Sequence, residues 1–154
     1  MARDERGAPL LTRDHRDIDT LFSEASSTLA RSDAAAAHFA MDRAWMRLAV
    51  HIRAEHKALF PAILADHPEL ADLIQTLRAD HDFFMETLAR LLGQLREPHA
   101  DRAAIAAAFV EVDERLQTHN RIEETEVYPF AGGDPALDER LSAELAFLPE
   151  RYGK

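Results

Sequence analysis

Residues 70–95 read LADLIQTLRADHDFFMETLARLLGQL, and this stretch decides the fold. Leu70, Leu73 with Ile74, Leu77, Phe84, Leu88, Leu91 with Leu92, and Leu95 recur in steps of three and four. That spacing lays an apolar stripe along one side of a helix; a strand, whose side chains alternate every second residue, would scatter it over both faces. Before it, Asp66-His67-Pro68-Glu69 ends one helix and starts the next, with Pro68 suited to a first helical position. After it, Glu97-Pro98-His99 closes the stretch at Leu95 or Arg96.

The same rhythm extends both ways. Downstream, Ile105, Phe109, Val112 and Leu116 mark a helix over about Asp101 to Phe130, stopped by Gly132-Gly133-Asp134-Pro135. Upstream, Ser32-Asp33 separates a helix capped by Thr12 and running to Arg31, with Ile18, Phe22, Ala25 and Leu29 on its stripe, from one over about Ala34 to Ala65 with Met41, Leu48, Leu59 and Ile63. A short tail helix is expected from Ala136 to Leu148. Four amphipathic segments joined by short connections predict an all-α, antiparallel up-down-up-down four-helix bundle, about 12–130, and a tail, 131–154, in one domain spanning 1–154.

Composition agrees and narrows the function. The 154 residues suit one domain with a sizeable core, and 5 Gly and 7 Pro are few for a turn-rich β fold. With no Cys, thiol catalysis, disulfides and thiolate-held metals are excluded. Lys and Arg total 18 against 28 Asp and Glu, and the net −10 repels phosphate backbones and anionic membrane surfaces, so no nucleic acid or membrane partner is expected. No apolar run nears the roughly 20 residues of a membrane span. The polar start, Met1 to Arg6, leads into no signal-peptide core, and the expected compartment is the cytoplasm.

The stripes carry polar residues where apolar ones belong. His81 falls between Leu77 and Phe84; His119 and Glu123 follow Leu116; His51 and Glu55 lie between Leu48 and Leu59; His15 precedes Ile18. Each helix thus sends a histidine inward, and two send a glutamate one turn later. Burying a carboxylate without a partner costs several kcal/mol even after relaxation, so these six groups need a shared counter-charge, which a metal centre supplies. The glutamate segments also repeat. His51-Ile52-Arg53-Ala54-Glu55-His56 runs on to Phe60-Pro61, and His119-Asn120-Arg121-Ile122-Glu123-Glu124 to Tyr128-Pro129. Residues four apart share a helix face about 6 Å apart along the axis, so each histidine can cap one metal while its glutamate reaches between two. His15 and His81 add terminal nitrogens. Imidazole and carboxylate together suit iron, and also zinc or manganese; two bridges favour a dinuclear site with metals about 3.5–4 Å apart.

The order His15, His51-x-x-x-Glu55, His81, His119-x-x-x-Glu123 resembles the hemerythrin-like (HHE cation-binding) domains, over nearly the whole chain from His15 to Pro129. The resemblance implies a non-haem, oxo- or hydroxo-bridged di-iron centre inside a four-helix bundle. It also implies binding of, or reaction with, a small diatomic or peroxide ligand (O₂, nitric oxide or peroxide), as an oxidoreductase or, alternatively, as an iron or oxygen sensor without turnover. Oxygen-carrying relatives have a second histidine one turn after the third-helix one, where this chain has Met85; they end the fourth-helix motif with an aspartate at the position of Glu124. The bacterial pattern assigns the bridge to Glu123, with Glu124 the alternative. Met85 leaves room at a metal for water or substrate, which favours a reactive or labile site over oxygen carriage.

The remaining residues have plainer readings. Arg53 and Arg121 lie close enough in sequence to pair with the glutamates. His38, His67 and His99 read as solvated or capping residues, as does His56 unless it supports the site; Glu126 is a candidate for such support. Phe84 and Met85 read as core and as an apolar wall. Pro61 and Pro129 bend or end their helices, and the face at Ala103 to Ala108 suits the tail helix or a second subunit.

Overall fold

The computed structural model describes residues 7–147; Met1 to Arg6, Leu148 and the ends of the proposed domain lie outside them. Helix α1 (Gly7–Arg31) begins before Thr12, which lies inside it and caps nothing. Pro9 falls in the first turn, where its missing N–H has no partner to lose, and Leu11 is fully buried, so packing draws the chain into helix ahead of the expected cap. Asp33 caps α2 (Ala34–Ala54), accepting from the Ala36 N–H at 2.8 Å.

At Glu55 the helix widens. Over Glu55–Leu59 the turn takes in one extra residue, and the Phe60 N–H reaches back five positions to the Glu55 carbonyl. Pro61 accounts for this: it has no N–H to give, and its ring would collide with the carbonyl four residues back in a regular helix. Helix continues beyond it as α3 (Phe60–Asp66). A tight turn at Pro68–Leu70 leads into α4 (Ala71–Leu95), and Asp101 caps α5 (Arg102–Ile122). The second repeat behaves like the first: the turn Glu123–Val127 is widened, with the Tyr128 N–H on the Glu123 carbonyl, and Pro129 sits in the tight turn Tyr128–Ala131 that ends the helix. Gly133, at φ 88°, makes the reversal, and Asp134 caps α6 (Pro135–Ala146). There is no strand among the described residues, and the fold is an all-helical bundle.

Helix α1 packs against α2 and α5, and α4 packs against the same two; α6 lies mainly on α2, the widened turn after it, and α1. The tail helix therefore docks elsewhere than the alanine face of α5. The apolar stripes form two clusters, one with Ile18, Phe22, Leu48, Phe84 and Phe109, the other with Leu11, Leu59, Ile63, Ile74 and Leu77. Each such side chain contributes about 1.5–3 kcal/mol by leaving water. Between the clusters lies a buried polar layer of Asp14, His15, His51, Glu55, His81, His119 and Glu123. Among the described residues no helix is long and apolar enough to cross a membrane.

Candidate metal centre

All six residues singled out from the stripes meet in that layer. Glu55 and Glu123 are 0% exposed and the four histidines 2%. Their donor atoms fall into two groups able to hold a metal ion: His15, His51, Glu55 and Glu123 in one, and Glu55, His81, His119 and Glu123 in the other. Both glutamates belong to both groups. In the first, His15 Nε2 lies 3.2 Å from Glu123 Oε1 and His51 Nε2 3.4 Å from Glu55 Oε2. In the second, His81 Nε2 is 3.1 Å from Glu55 Oε1 and from His119 Nε2, and His119 Nε2 is 3.3 Å from Glu123 Oε2. Arg53 pairs with Glu144 and Arg121 is exposed, so neither neutralises Glu55 or Glu123.

The other face of each imidazole explains the orientation. His51 Nδ1 is 2.8 Å from Asp14 Oδ2, His119 Nδ1 2.9 Å from Asp80 Oδ2, and His15 Nδ1 2.7 Å from Glu124 Oε2. A carboxylate accepts only, so each Nδ1 carries the proton and donates it, leaving the Nε2 lone pair aimed at the centre. His81 Nδ1 has His56 Nε2 at 2.7 Å in the same role. Burial and the neighbouring His81 push His56 below its ordinary range, which keeps it neutral and able to accept. Glu124, the alternative bridge, is an orienting residue for His15 and not part of either donor group. Glu126 is exposed.

Sequence reasoning missed Asp14 and Asp80 and left His56 and Glu124 in doubt. The signal was adjacency: each stands next to a member of the six, yet each serves a histidine on another helix, 14 to 51, 56 to 81, 80 to 119 and 124 to 15. Consecutive helical residues point about 100° apart, so when one faces the centre its neighbour faces the next helix. Arg47 extends the arrangement, pairing with Asp14 and donating to the Leu145 carbonyl of α6 at 3.2 Å. Such supporting partners typically account for 10–100-fold in metal affinity, so we expect Asp14→Ala and Asp80→Ala each to weaken metal binding by about that factor, measured by competition with a chromogenic chelator.

The charge pattern asks for a cation. Four imidazole lone pairs and two carboxylates converge with few hydrogens to share, and Glu55 Oε1 and Glu123 Oε2 are buried without accepting any hydrogen bond. Burial works against the His51 charge, but Glu55 and the bond to Asp14 outweigh it and push the imidazole up to about 10. Burial likewise opposes charge on His81, and Glu123 and Glu55 push it up to about 9. Burial opposes the charge on Glu123, yet His119, His15 and His81 hold it well below the usual carboxylate range. Protons thus stand where a cation's charge would act. The nitrogen and oxygen donors, free of thiolate, fit iron as well as zinc or manganese.

The surroundings are apolar and aromatic. Phe84 meets the His119 ring edge-on, with centroids 5.2 Å apart, and Phe60 lies nearly parallel to His81 at 6.1 Å. Met85 is half-buried against the core, outside the donor groups. Tyr128, 1% exposed, donates its hydroxyl proton to Glu55 Oε2 at 2.6 Å; burial and the two carboxylates push this phenol well above its ordinary range. A surface cleft lined by Asp80, Glu114, Arg115, Thr118, His119 and Ile122 approaches the second group. Comparison with curated proteins and with solved structures gave no match. Residues 6–131 match the family described as hemerythrin HHE cation binding domain, and with that share of its length covered the chain, whose buried histidine and glutamate groups could hold a metal ion, belongs to the hemerythrin HHE cation-binding family.

Proposed function

We propose that the chain holds two iron ions in an up-down-up-down four-helix bundle, and that this centre binds or reacts with O₂, nitric oxide or peroxide. His15, His51, Glu55 and Glu123 would hold one ion and Glu55, His81, His119 and Glu123 the other, with both glutamates common to the two. The observation that carries the reading is the pair of buried donor groups sharing two carboxylates, each with an oxygen that accepts no hydrogen bond.

The orienting partners support the alternating topology. The partner precedes the inward residue on α1 and α4 (Asp14 before His15, Asp80 before His81). It follows the inward residue on the strands of helix carrying the repeats (His56 after Glu55, Glu124 after Glu123). In right-handed helices, one step back on one helix and one step forward on an opposed neighbour turn the same way around a common axis. Opposed neighbours therefore let all four partners turn toward the next helix in one sense.

Bound iron supplies redox chemistry and an open coordination position for a diatomic or peroxide. The chain's own residues hold each Nε2 in place, balance the charge, and keep the pocket apolar through Phe60 and Phe84. A sensing role is the second reading. It is favoured by the placement of the polar layer between the two apolar clusters, which ties occupancy to packing on both sides. The deciding experiment is metal analysis and an absorption spectrum of aerobically purified protein, before and after peroxide or nitric oxide. Two irons per chain with near-ultraviolet bands that respond are expected. Zinc or no metal overturns the iron reading; two irons with an unresponsive spectrum, and loss of helicity on chelation, select the sensor.

A further inference from the structure

The two donor groups are related by the sequence repeat, and the aromatic residue that ends each copy differs by one hydroxyl. Each widened turn is followed by an aromatic residue and proline, Phe60-Pro61 in the first copy and Tyr128-Pro129 in the second. In a regular helix a residue five positions after the glutamate would point about 140° away from it; the extra residue in the widened turn makes five count as four, about 40° away. Both aromatic rings are thereby turned back onto the polar layer. Phe60 stacks on His81, and Tyr128 on His15 with centroids 5.5 Å apart. Only the second carries a hydroxyl.

That hydroxyl oxygen lies against all four donors of one group. It is 2.6 Å from Glu55 Oε2, 3.0 Å from Glu123 Oε1, 3.1 Å from His15 Nε2 and 3.3 Å from His51 Nε2. Two ligands at right angles, each about 2.1 Å from one cation, lie about 3.0 Å apart. The Tyr128 oxygen thus keeps ligand-to-ligand spacing with four other donors. Among the described residues no comparable oxygen stands over His81 and His119, because Phe60 occupies the equivalent place. A surface cleft counts His119, a member of that second group, among its lining residues.

We infer that Tyr128 is a fifth protein donor to the metal held by His15, His51, Glu55 and Glu123, so that an exogenous small anion or diatomic ligand enters at the other position, between His81 and His119. The inference rests on the two-iron reading. As the metal enters, the O–H bond breaks, the phenolate oxygen bonds the cation, and the proton that Glu55 accepts in its absence passes to solvent. A bound cation favours the ionised form of a coordinating group, reversing the preference that burial sets.

The test uses iron-loaded full-length protein, with iron analysis, resonance Raman of the visible charge-transfer band, and titration with azide as the exogenous probe. The chain has two tyrosines, Tyr128 and Tyr152. Wild type should hold two irons and show iron–tyrosinate ring modes; Tyr152→Phe should keep them, and Tyr128→Phe should lose them with iron retained. Azide should bind once per chain in wild type and twice in Tyr128→Phe. Phe60→Tyr, which restores the symmetry, should weaken azide binding at least tenfold. Two irons without tyrosinate modes overturn the inference and leave the two-iron reading standing; fewer than two irons in wild type overturn both. Azide stoichiometry unchanged in Tyr128→Phe, or azide affinity unchanged in Phe60→Tyr, overturns the placement of the open position. If Tyr128→Phe does not fold, ring-deuterated tyrosine in wild type and in Tyr152→Phe decides, since the modes must shift with the label and survive the second substitution.

Discussion

Stripping the metal should lower the melting midpoint by on the order of 15–30 °C. A cation bound only by the folded chain adds about 4 kcal/mol of stability when present at a thousand times its Kd, and a filled pair about twice that. For a chain of this length each kcal/mol moves the midpoint by roughly 2–4 °C. The effect should also widen with pH. In the stripped protein, protonated His51 and His81 neutralise the glutamates, and their pKa values, about 10 and about 9, stand above the ordinary 6.5. A raised folded-state pKa gives stability that is complete below the unfolded value and lost as pH rises through the folded one. The stripped protein should therefore weaken between about pH 6.5 and 10. Metal binding competes with those same protons, so it strengthens over that interval. Calorimetric scans with and without chelator at pH 6.5, 8 and 9.5 check this. A chelator effect under a few degrees at every pH would show that no cation contributes to the fold.

Replacing either glutamate should empty both positions, whereas replacing a histidine should empty one. Glu55 and Glu123 each offer one oxygen to each donor group, while His15 and His51 serve only the first and His81 and His119 only the second. Metal content should fall from two per chain to near zero in Glu55→Ala and Glu123→Ala, and to about one in His15→Ala and His119→Ala. The glutamate variants should still fold, because each removes a buried charge and leaves imidazoles that deprotonate at little cost. Elemental analysis with circular dichroism on the same samples gives the answer. Equal losses from glutamate and histidine variants would mean a single metal bound by all six residues.

Much of this was legible in the sequence, for identifiable reasons. The stripe of residues 70–95 has leucines and phenylalanines at nearly every inward position, so one polar intruder, His81, stands out against it. The same contrast exposes His119 after Leu116 and His51 after Leu48. The start of α1 was not legible, because Thr12 has the chemistry of a cap while the burial of Leu11, which overrides it, depends on the second apolar cluster. Pro61 and Pro129 announced a disturbance without its form; a bend, a stop and a widened turn all answer the same steric clash. Asp14 and Asp80, though adjacent to His15 and His81, did not stand out, for the opposite reason to His81. A charged residue beside a histidine is ordinary at a helix surface, and nothing local tells that its partner is a histidine on another helix.

The four cross-helix pairs have a consequence for how the chain finds its packing. Leucine stripes of this kind interdigitate almost equally well if one helix slides by three or four residues, so hydrocarbon contacts alone leave the register loosely chosen. Here α1, α4, and α2 and α5 with the widened turns that follow them, each offer an orienting group and receive one. Displacing any one of them severs two pairs at once, and for the fully buried Asp14–His51 pair this leaves polar groups unpartnered away from water, a penalty of about 1–3 kcal/mol or more that no shifted arrangement of hydrocarbon returns. Alignment is thus written in polar interlocks outside the centre, and the donor atoms are brought together by contacts that need no metal.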